Sequence, residues 1–321
     1  PRRTSAPTEF SPTPWTRYGN IASFTTRTRK ADMAELLKGK PVVDSMALDL
    51  RARIEALGRA KVVPALALVR VGQRPDDLSY ERTARKRAES LGIAIRPYEL
   101  DEFAPQAAIE AAIHEVNRDE NVHGCLLFRP LPSFVDESHV CELLDPKKDI
   151  DGITLASLAS VFTDGHAGYP PATAAACIQL LDHYQVPLQG KHVVVVGRSL
   201  VVGKPVSMML LRRNASVTIC HSKTENLADI MRSADVVICA TGRARTFGAQ
   251  FFGPGQTVLD VGINFDTQGN LCGDVDFAEV EPVVAAITPV PGGIGTVTTS
   301  VTMAHTVAAA EAALAARTGR R

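Results

Sequence analysis

Val193-Val194-Val195-Val196-Gly197-Arg198-Ser199-Leu200-Val201-Val202-Gly203-Lys204-Pro205 is the stretch that decides the fold. The four valines form a buried strand, two glycines bound a short loop, and Pro205 suits a first helical position. Strand, glycine loop and helix start make the opening unit of a doubly wound sheet that binds a nucleotide. The glycines let backbone N–H groups come close to a phosphate, and the helix N-terminus adds partial positive charge. The spacing is not G-x-G-x-x-G, so the loop by itself also fits plain scaffolding.

Downstream, strands are expected at His192 to Val196, Ser216 to Cys220, Val236 to Ala240, Val258 to Val261 and Ala285 to Ile287. Helices from about Lys204 to Arg213 and Asn226 to Ser233 fall between them. The second strand runs into His221-Ser222-Lys223-Thr224. An NAD-selective site would carry an acid there for the ribose 2′-hydroxyl. Hydroxyls and a cation stand there instead, with Arg198 in the loop opposite, which favours the 2′-phosphate of NADP. Lys223 alone would read as a solvated loop charge.

Upstream, the same alternation begins near Ala31. Ala47 to Leu57 reads as an amphipathic helix and Pro64 to Val71 as a buried strand. A helix from about Leu78 to Ser90 ends at Gly92, which suits a left-handed cap. Ile95 to Leu100 and Gly124 to Phe128 are further strands, with a helix from Pro105 to Asn117 between them and another at Ala174 to Tyr184. The last helix, Val297 to Arg317, is long enough to pack back on the first domain.

The chain of 321 residues exceeds what one core comfortably serves, so two domains are expected. Lys plus Arg balance Asp plus Glu at 35 each, so no global field draws nucleic acid or an anionic membrane. No apolar run approaches the roughly 18 residues of a membrane span. The six cysteines form no C-x-x-C pair, which argues against a metal site or disulfides and for reduced thiols in the cytoplasm. Residues 1–30 are rich in Thr, Ser, Pro and Arg, with Glu9 the only acid. A transit peptide has similar composition, but Pro7, Pro12 and Pro14 oppose its helix. A flexible leader or cloning remnant is the expectation.

The nucleotide loop, Asp149-Ile150-Asp151-Gly152, Asp260-Val261-Gly262-Ile263-Asn264 and Thr288-Pro289-Val290-Pro291-Gly292-Gly293-Ile294-Gly295 together resemble the methylenetetrahydrofolate dehydrogenase/cyclohydrolase family. The likeness runs from about Leu36 to Leu314. It implies an α/β fold of two domains: an N-terminal α/β substrate domain and a Rossmann-like doubly wound nucleotide-binding domain, with the active-site cleft between them. On this basis residues 31–184 plus the C-terminal helix 297–321 form the folate-binding catalytic domain, and 185–296 the NADP-binding domain. It also implies a homodimer through the nucleotide domain.

In that family a Tyr stacks on the folate, and a Lys four residues later, held by a Gln, performs acid–base chemistry. An Asp of the K-D-x-D-G motif binds the pterin. By resemblance Tyr80 is the stacking residue and Asp151 the pterin ligand, with Asp149 beside it. The Lys position is Ala84 and the Gln position is Phe128. Lys86 lies two residues past Ala84, hence about 200° around the helix, and should point elsewhere. Thr296 replaces a family proline, Pro171-Ala172-Thr173-Ala174-Ala175-Ala176 replaces a P-C-T-P-x-G stretch, and Arg129 also alters the substrate side. Pro291, Gly292 and Gly293 should form a shaped loop lining the cleft, neither strand nor helix as far as Gly295. The cofactor side would comprise Gly197, Arg198, Ser199, Val202, Gly203, Ser222, Lys223, Thr241, Gly262, Ile263 and Thr298. His221 and His305 read as structural.

Hydride transfer from a methylene carbon asks mainly for positioning. Hydrolysis of the methenyl product needs a proton carrier. Ala84 cannot carry a proton and Phe128 cannot orient one, so the expectation is a dehydrogenase without cyclohydrolase activity. Two other readings stay open: folate-dependent methylene transfer in specialised metabolism, and a non-catalytic binder on the same scaffold.

Overall fold

Residues 193–196 lie buried between parallel neighbours on both sides, where four valines belong. The computed structural model describes residues 33–319. The expected leader, residues 1–30, lies outside the described residues.

Glu35–Leu36 (β1) leads into Gly39–Arg59 (α1). Ala65–Val71 (β2), Pro75–Leu91 (α2), Ala94–Leu100 (β3), Gln106–Arg118 (α3) and Gly124–Leu127 (β4) follow. Their strands form a parallel sheet in the order β3-β2-β4. Glu137–Glu142 (α4), Leu155–Thr163 (α5) and Ala172–His183 (α6) lead to the second series. That series is His192–Val196 (β5), Gly203–Leu211 (α7), Ser216–Cys220 (β6), Leu227–Arg232 (α8), Val236–Cys239 (β7) and Thr257–Asp260 (β8). A small hairpin, Asn264–Phe265 (β9) with Leu271–Cys272 (β10), is followed by Phe277–Val280 (α9), Ala286–Ile287 (β11) and Ile294–Thr318 (α10). The larger sheet has the order β1-β11-β8-β7-β5-β6, all parallel. Two α/β domains with a cleft between them result.

Several expectations need correction. Pro205 is the third residue of α7, not the first, because Gly203 already starts the helix; it still sits in the first turn, where its missing N–H costs nothing. α6 begins at Ala172, since the alanine run after Pro171 is strongly helix-forming. Ile294 and Gly295 belong to the first turn of α10 and not to the loop. β1 and α6, placed with the first domain by sequence, join the nucleotide half: β1 pairs with β11, and α6 packs its alanines and leucines on β5 and β7.

α10 ties the halves together. Ile294, Val297 and Val301 pack into the nucleotide-side core, and Met303, Val307 and Ala310 into the core beneath β2 and β4. The six cysteines are buried and free. Among the described residues no helix is long and apolar enough to cross a membrane.

Candidate active site

Tyr80 and Ala84 stand one turn apart on the same face of α2. The helix is locked to its sheet by Glu81, which accepts from Arg70 Nε on β2 and from Arg85 Nε, both at 2.7 Å. β4 stops at Leu127, and Phe128 follows directly, buried like Ala84. The Phe128 ring meets Tyr80 edge to face, with centroids 6.0 Å apart and planes at 75°. Tyr80, Ala84 and Phe128 share one apolar cluster. Lys86 is exposed on the other side of the helix, as its angular offset requires.

The segment before Asp151 runs beside β4: Cys125 N donates to Lys148 O at 2.7 Å, and Cys125 bridges Asp149. Asp149 is fully buried and accepts from Ile153 N, Thr154 N, the Thr154 hydroxyl and the Ser157 hydroxyl. Its carboxylate is consumed in building that turn, which leaves Asp151 as the candidate of the expected Asp149/Asp151 pair. Burial raises the Asp151 carboxyl to about 6; Arg129 opposes the rise and Asp149 adds to it. Burial, helped by the Asp151 charge, pushes Tyr80 up to about 12 against the Thr302 and Thr299 hydroxyls of α10. Tyr80 is therefore a neutral phenol at physiological pH, and its ring is the useful surface.

A cleft of about 690 Å³ brings Tyr80 together with Gly262, Ile263, Pro291, Gly292 and Gly293. Two of the expected cofactor residues and four of the expected substrate residues thus meet in one space. The loop is held from behind by α1, whose Gly39 N donates to Gly292 O at 2.7 Å. Gly292 has φ +103°, a conformation that side chains rarely adopt.

The phosphate-loop candidates gather elsewhere, at the C-terminal ends of β5 and β6. Gly197 N donates to Cys220 O at 2.9 Å, and Ser199 Oγ accepts from Val202 N at 3.1 Å. Gly197 and Gly203 are buried, Val202 is half-buried, and Arg198, Ser199, Ser222 and Lys223 are exposed. Helix start, hydroxyls and two cations form a donor set suited to phosphate groups. Thr241 and Thr298 are half-buried, and their hydroxyls are already engaged, Thr241 with Asp274 and Thr298 with Ile294 O.

Sequence reasoning missed the two acids that shape this edge. Asp274 accepts from the backbone N–H groups of Thr241, Gly242 and Arg243 and from Asn264 Nδ2. Asp260 accepts from the backbone N–H groups of Gly262, Asp274 and Val275. Together they tie the loops after β7 and β8 to the β9–β10 hairpin. The glycines at 262 and 273, each beside an aspartate carboxylate, were the available signal.

Residues 37–151 match the model of the tetrahydrofolate dehydrogenase/cyclohydrolase catalytic domain, and residues 171–314 that of the NAD(P)-binding domain of the same family. The bifunctional protein FolD of Carboxydothermus hydrogenoformans is 48% identical over 281 residues, covering 87% of this chain and 98% of that protein. The chain belongs to the tetrahydrofolate dehydrogenase/cyclohydrolase family. The crystal structure of the bifunctional FolD enzyme of Campylobacter jejuni superposes with a TM-score of 0.84 at 34% identity, covering 87% of this chain and 99% of that one. The Trypanosoma brucei family member, complexed with NADP cofactor and inhibitor, gives 0.83 at 31% identity, with 88% and 99% covered. Family membership makes the cleft beside Tyr80 the candidate folate site and the β5–α7 loop the candidate nucleotide site.

Proposed function

We propose that this chain oxidises 5,10-methylenetetrahydrofolate to 5,10-methenyltetrahydrofolate with NADP and does not hydrolyse the product. The observation that carries the reading is the apolar corner formed by Ala84, Phe128 and Tyr80. Tyr80 offers a ring face on which the folate can stack, and Asp151 offers a carboxylate to the pterin N–H groups. Bound NADP supplies the hydride acceptor. The chain's contribution to that step is orientation, which a rigid stacking ring and a shaped glycine loop provide. Hydrolysis would need a group that deprotonates water and protonates the leaving nitrogen. Among the described residues no lysine stands in the corner, and Tyr80 titrates too high to replace one.

The test is direct. NADPH absorbance should grow with methylenetetrahydrofolate, while methenyltetrahydrofolate should decay in the same buffer no faster with protein than without. Enzyme-dependent decay of the methenyl absorbance would overturn the loss of hydrolysis. Folate binding without NADPH formation would shift the reading to methylene transfer or to a binder.

Preference for NADP rests on Arg198, Ser222 and Lys223. Replacing Lys223→Asp removes a cation and sets a like charge against a 2′-phosphate. At roughly 1.5–3 kcal/mol for a hydrogen bond to a charged group, NADP affinity should fall about 10- to 100-fold, with NAD affinity little changed. Equal losses for both nucleotides in equilibrium titrations would remove the assignment. Buried free thiols and the family's dimeric habit lead us to place the protein in the cytoplasm as a homodimer.

A further inference from the structure

The cleft beside Tyr80 runs on along α2. Asp76, Ser79, Tyr80, Thr83 and Arg87 all line it, at the spacing of one helix face. Arg87 comes seven residues after Tyr80, hence within about 20° of it around the axis and about 10.5 Å further along. The hairpin side of the same cleft is apolar, with Ile263, Phe265 and Leu271 exposed. A cleft of this form suits an elongated ligand with an apolar middle.

The charges along it are unevenly placed. Asp76, at the start of the helix, is an exposed acid. Asp260 also lines the cleft, but it is buried and its two oxygens accept the backbone N–H groups of Gly262, Asp274 and Val275. Arg87 is the one basic residue lining the cleft among the described residues, and it is half-buried. Two positions earlier, Arg85 pairs with Glu81 and Glu99. Arg87 has no such partner. Among the described residues its guanidinium enters no ion pair or hydrogen bond, and only its carbonyl is engaged, by the Ser90 hydroxyl. A guanidinium partly withdrawn from water at a cleft wall, with its donors free, is a receptor for a carboxylate.

Folate carries that carboxylate at the end away from its pterin, where an aminobenzoyl ring joins it to glutamate. With the pterin at Asp151 and the substrate stacked on Tyr80, the tail meets a like charge toward Asp76 and an opposite charge toward Arg87. We propose that Arg87 binds the folate tail: its guanidinium pairs with a glutamate carboxylate two helical turns along α2 from the stacking ring. This rests on the folate reading above and adds to it a residue that recognises the acidic end of the substrate.

Calorimetric titration of the full chain with tetrahydrofolate, and with its diamide in which both tail carboxylates are replaced by amides, separates recognition of the tail charge from everything else. The parent should bind tetrahydrofolate about 5- to 20-fold more tightly than the diamide, a range between an exposed ion pair and a buried charged hydrogen bond. Arg87→Leu should lose that same factor on tetrahydrofolate and bind the diamide within about twofold of the parent, so that the two ligands become equivalent. Arg87→Lys should still prefer tetrahydrofolate by about threefold or more, since the cation remains. A parent without the preference would overturn the proposal, as would a preference that survives in Arg87→Leu. Equal losses on both ligands, in a leucine variant with the parent's urea midpoint, would reduce the side chain to packing and overturn it too. A fall in NADP affinity at that same midpoint would give the guanidinium to the nucleotide instead. Should the leucine variant unfold, Arg87→Gln makes the same comparison. If the parent binds neither ligand, it is the folate reading that fails.

Discussion

The double variant Ala84→Lys/Phe128→Gln should hydrolyse methenyltetrahydrofolate at least about 100-fold faster than the parent chain. General acid–base groups contribute roughly 10²–10⁴ in rate where the geometry admits them, and among the described residues the parent corner offers only the Tyr80 phenol, which burial pushes up to about 12. Phe128 fills the space beside Tyr80 with a ring at 6.0 Å, and Ala84 is fully buried on the facing helix. Replacing Phe by Gln vacates volume that the lysine stem can occupy, and it supplies an amide oxygen for the ammonium. Ala84→Lys alone has neither. It should overpack the cluster and bury a charge without a partner, lowering stability by roughly 3–5 kcal/mol. Urea denaturation should thus show the single lysine variant well below the parent and the double variant between them. The lysine in the pair should titrate below its ordinary value, because burial disfavours the ammonium; hydrolysis should then rise with pH as the free amine appears. A double variant that folds and binds folate but hydrolyses no faster than the parent would show that these two positions do not decide the activity.

How much of this was legible in sequence depends on how local each feature is. β5 and β6 match expectation to the residue, because apolar β-branched runs bounded by glycine or polar residues specify both period and ends. The left-handed cap at Gly92 is equally local. β1, β9 and β10 are two-residue strands, too short to carry a period, whereas β11 falls within the strand expected at Ala285 to Ile287; β1 owes its existence to β11, some 250 residues away. α5 has no charged residue to mark a solvent face; its capping hydroxyl, Thr154, was the only cue. The site divides in the same way. Ala84 and Phe128 were found through motif position, but their contact with Tyr80 belongs to tertiary structure. The roles of Asp260 and Asp274 depend on backbone donors in loops up to 33 residues away in sequence, which no spacing rule encodes.

Gly203→Ala should abolish tight nucleotide binding, with NADP affinity reduced at least about 100-fold, or roughly 2.7 kcal/mol. A methyl group built at Gly203 would lie 2.1 Å from Gly197 O, 2.5 Å from Gly197 C and 2.8 Å from Arg198 N. All three are backbone atoms, so no side chain can swing aside to relieve the overlap. Its backbone is not in a glycine-only conformation, so the penalty comes from contact and not from strain. Gly197 is itself pinned by its N–H to Cys220 O, leaving the loop at 198–202 as the part that must yield. That loop carries Arg198 and Ser199 and leads into Gly203, whose N–H is the one in the first turn of α7 without an acceptor among the described residues, since Lys204 N donates to Ser199 O, Val206 N to Val202 O, and Pro205 has none. Displacing it should therefore cost nucleotide affinity more than stability, for which a loss of about 1–3 kcal/mol is expected. Gly253→Ala is the matched control: no heavy atom lies within 4 Å of the added methyl, and both quantities should stay near parent values. If Gly203→Ala retains parent NADP affinity while its denaturation midpoint falls, the glycine serves packing alone and the nucleotide phosphates must sit elsewhere.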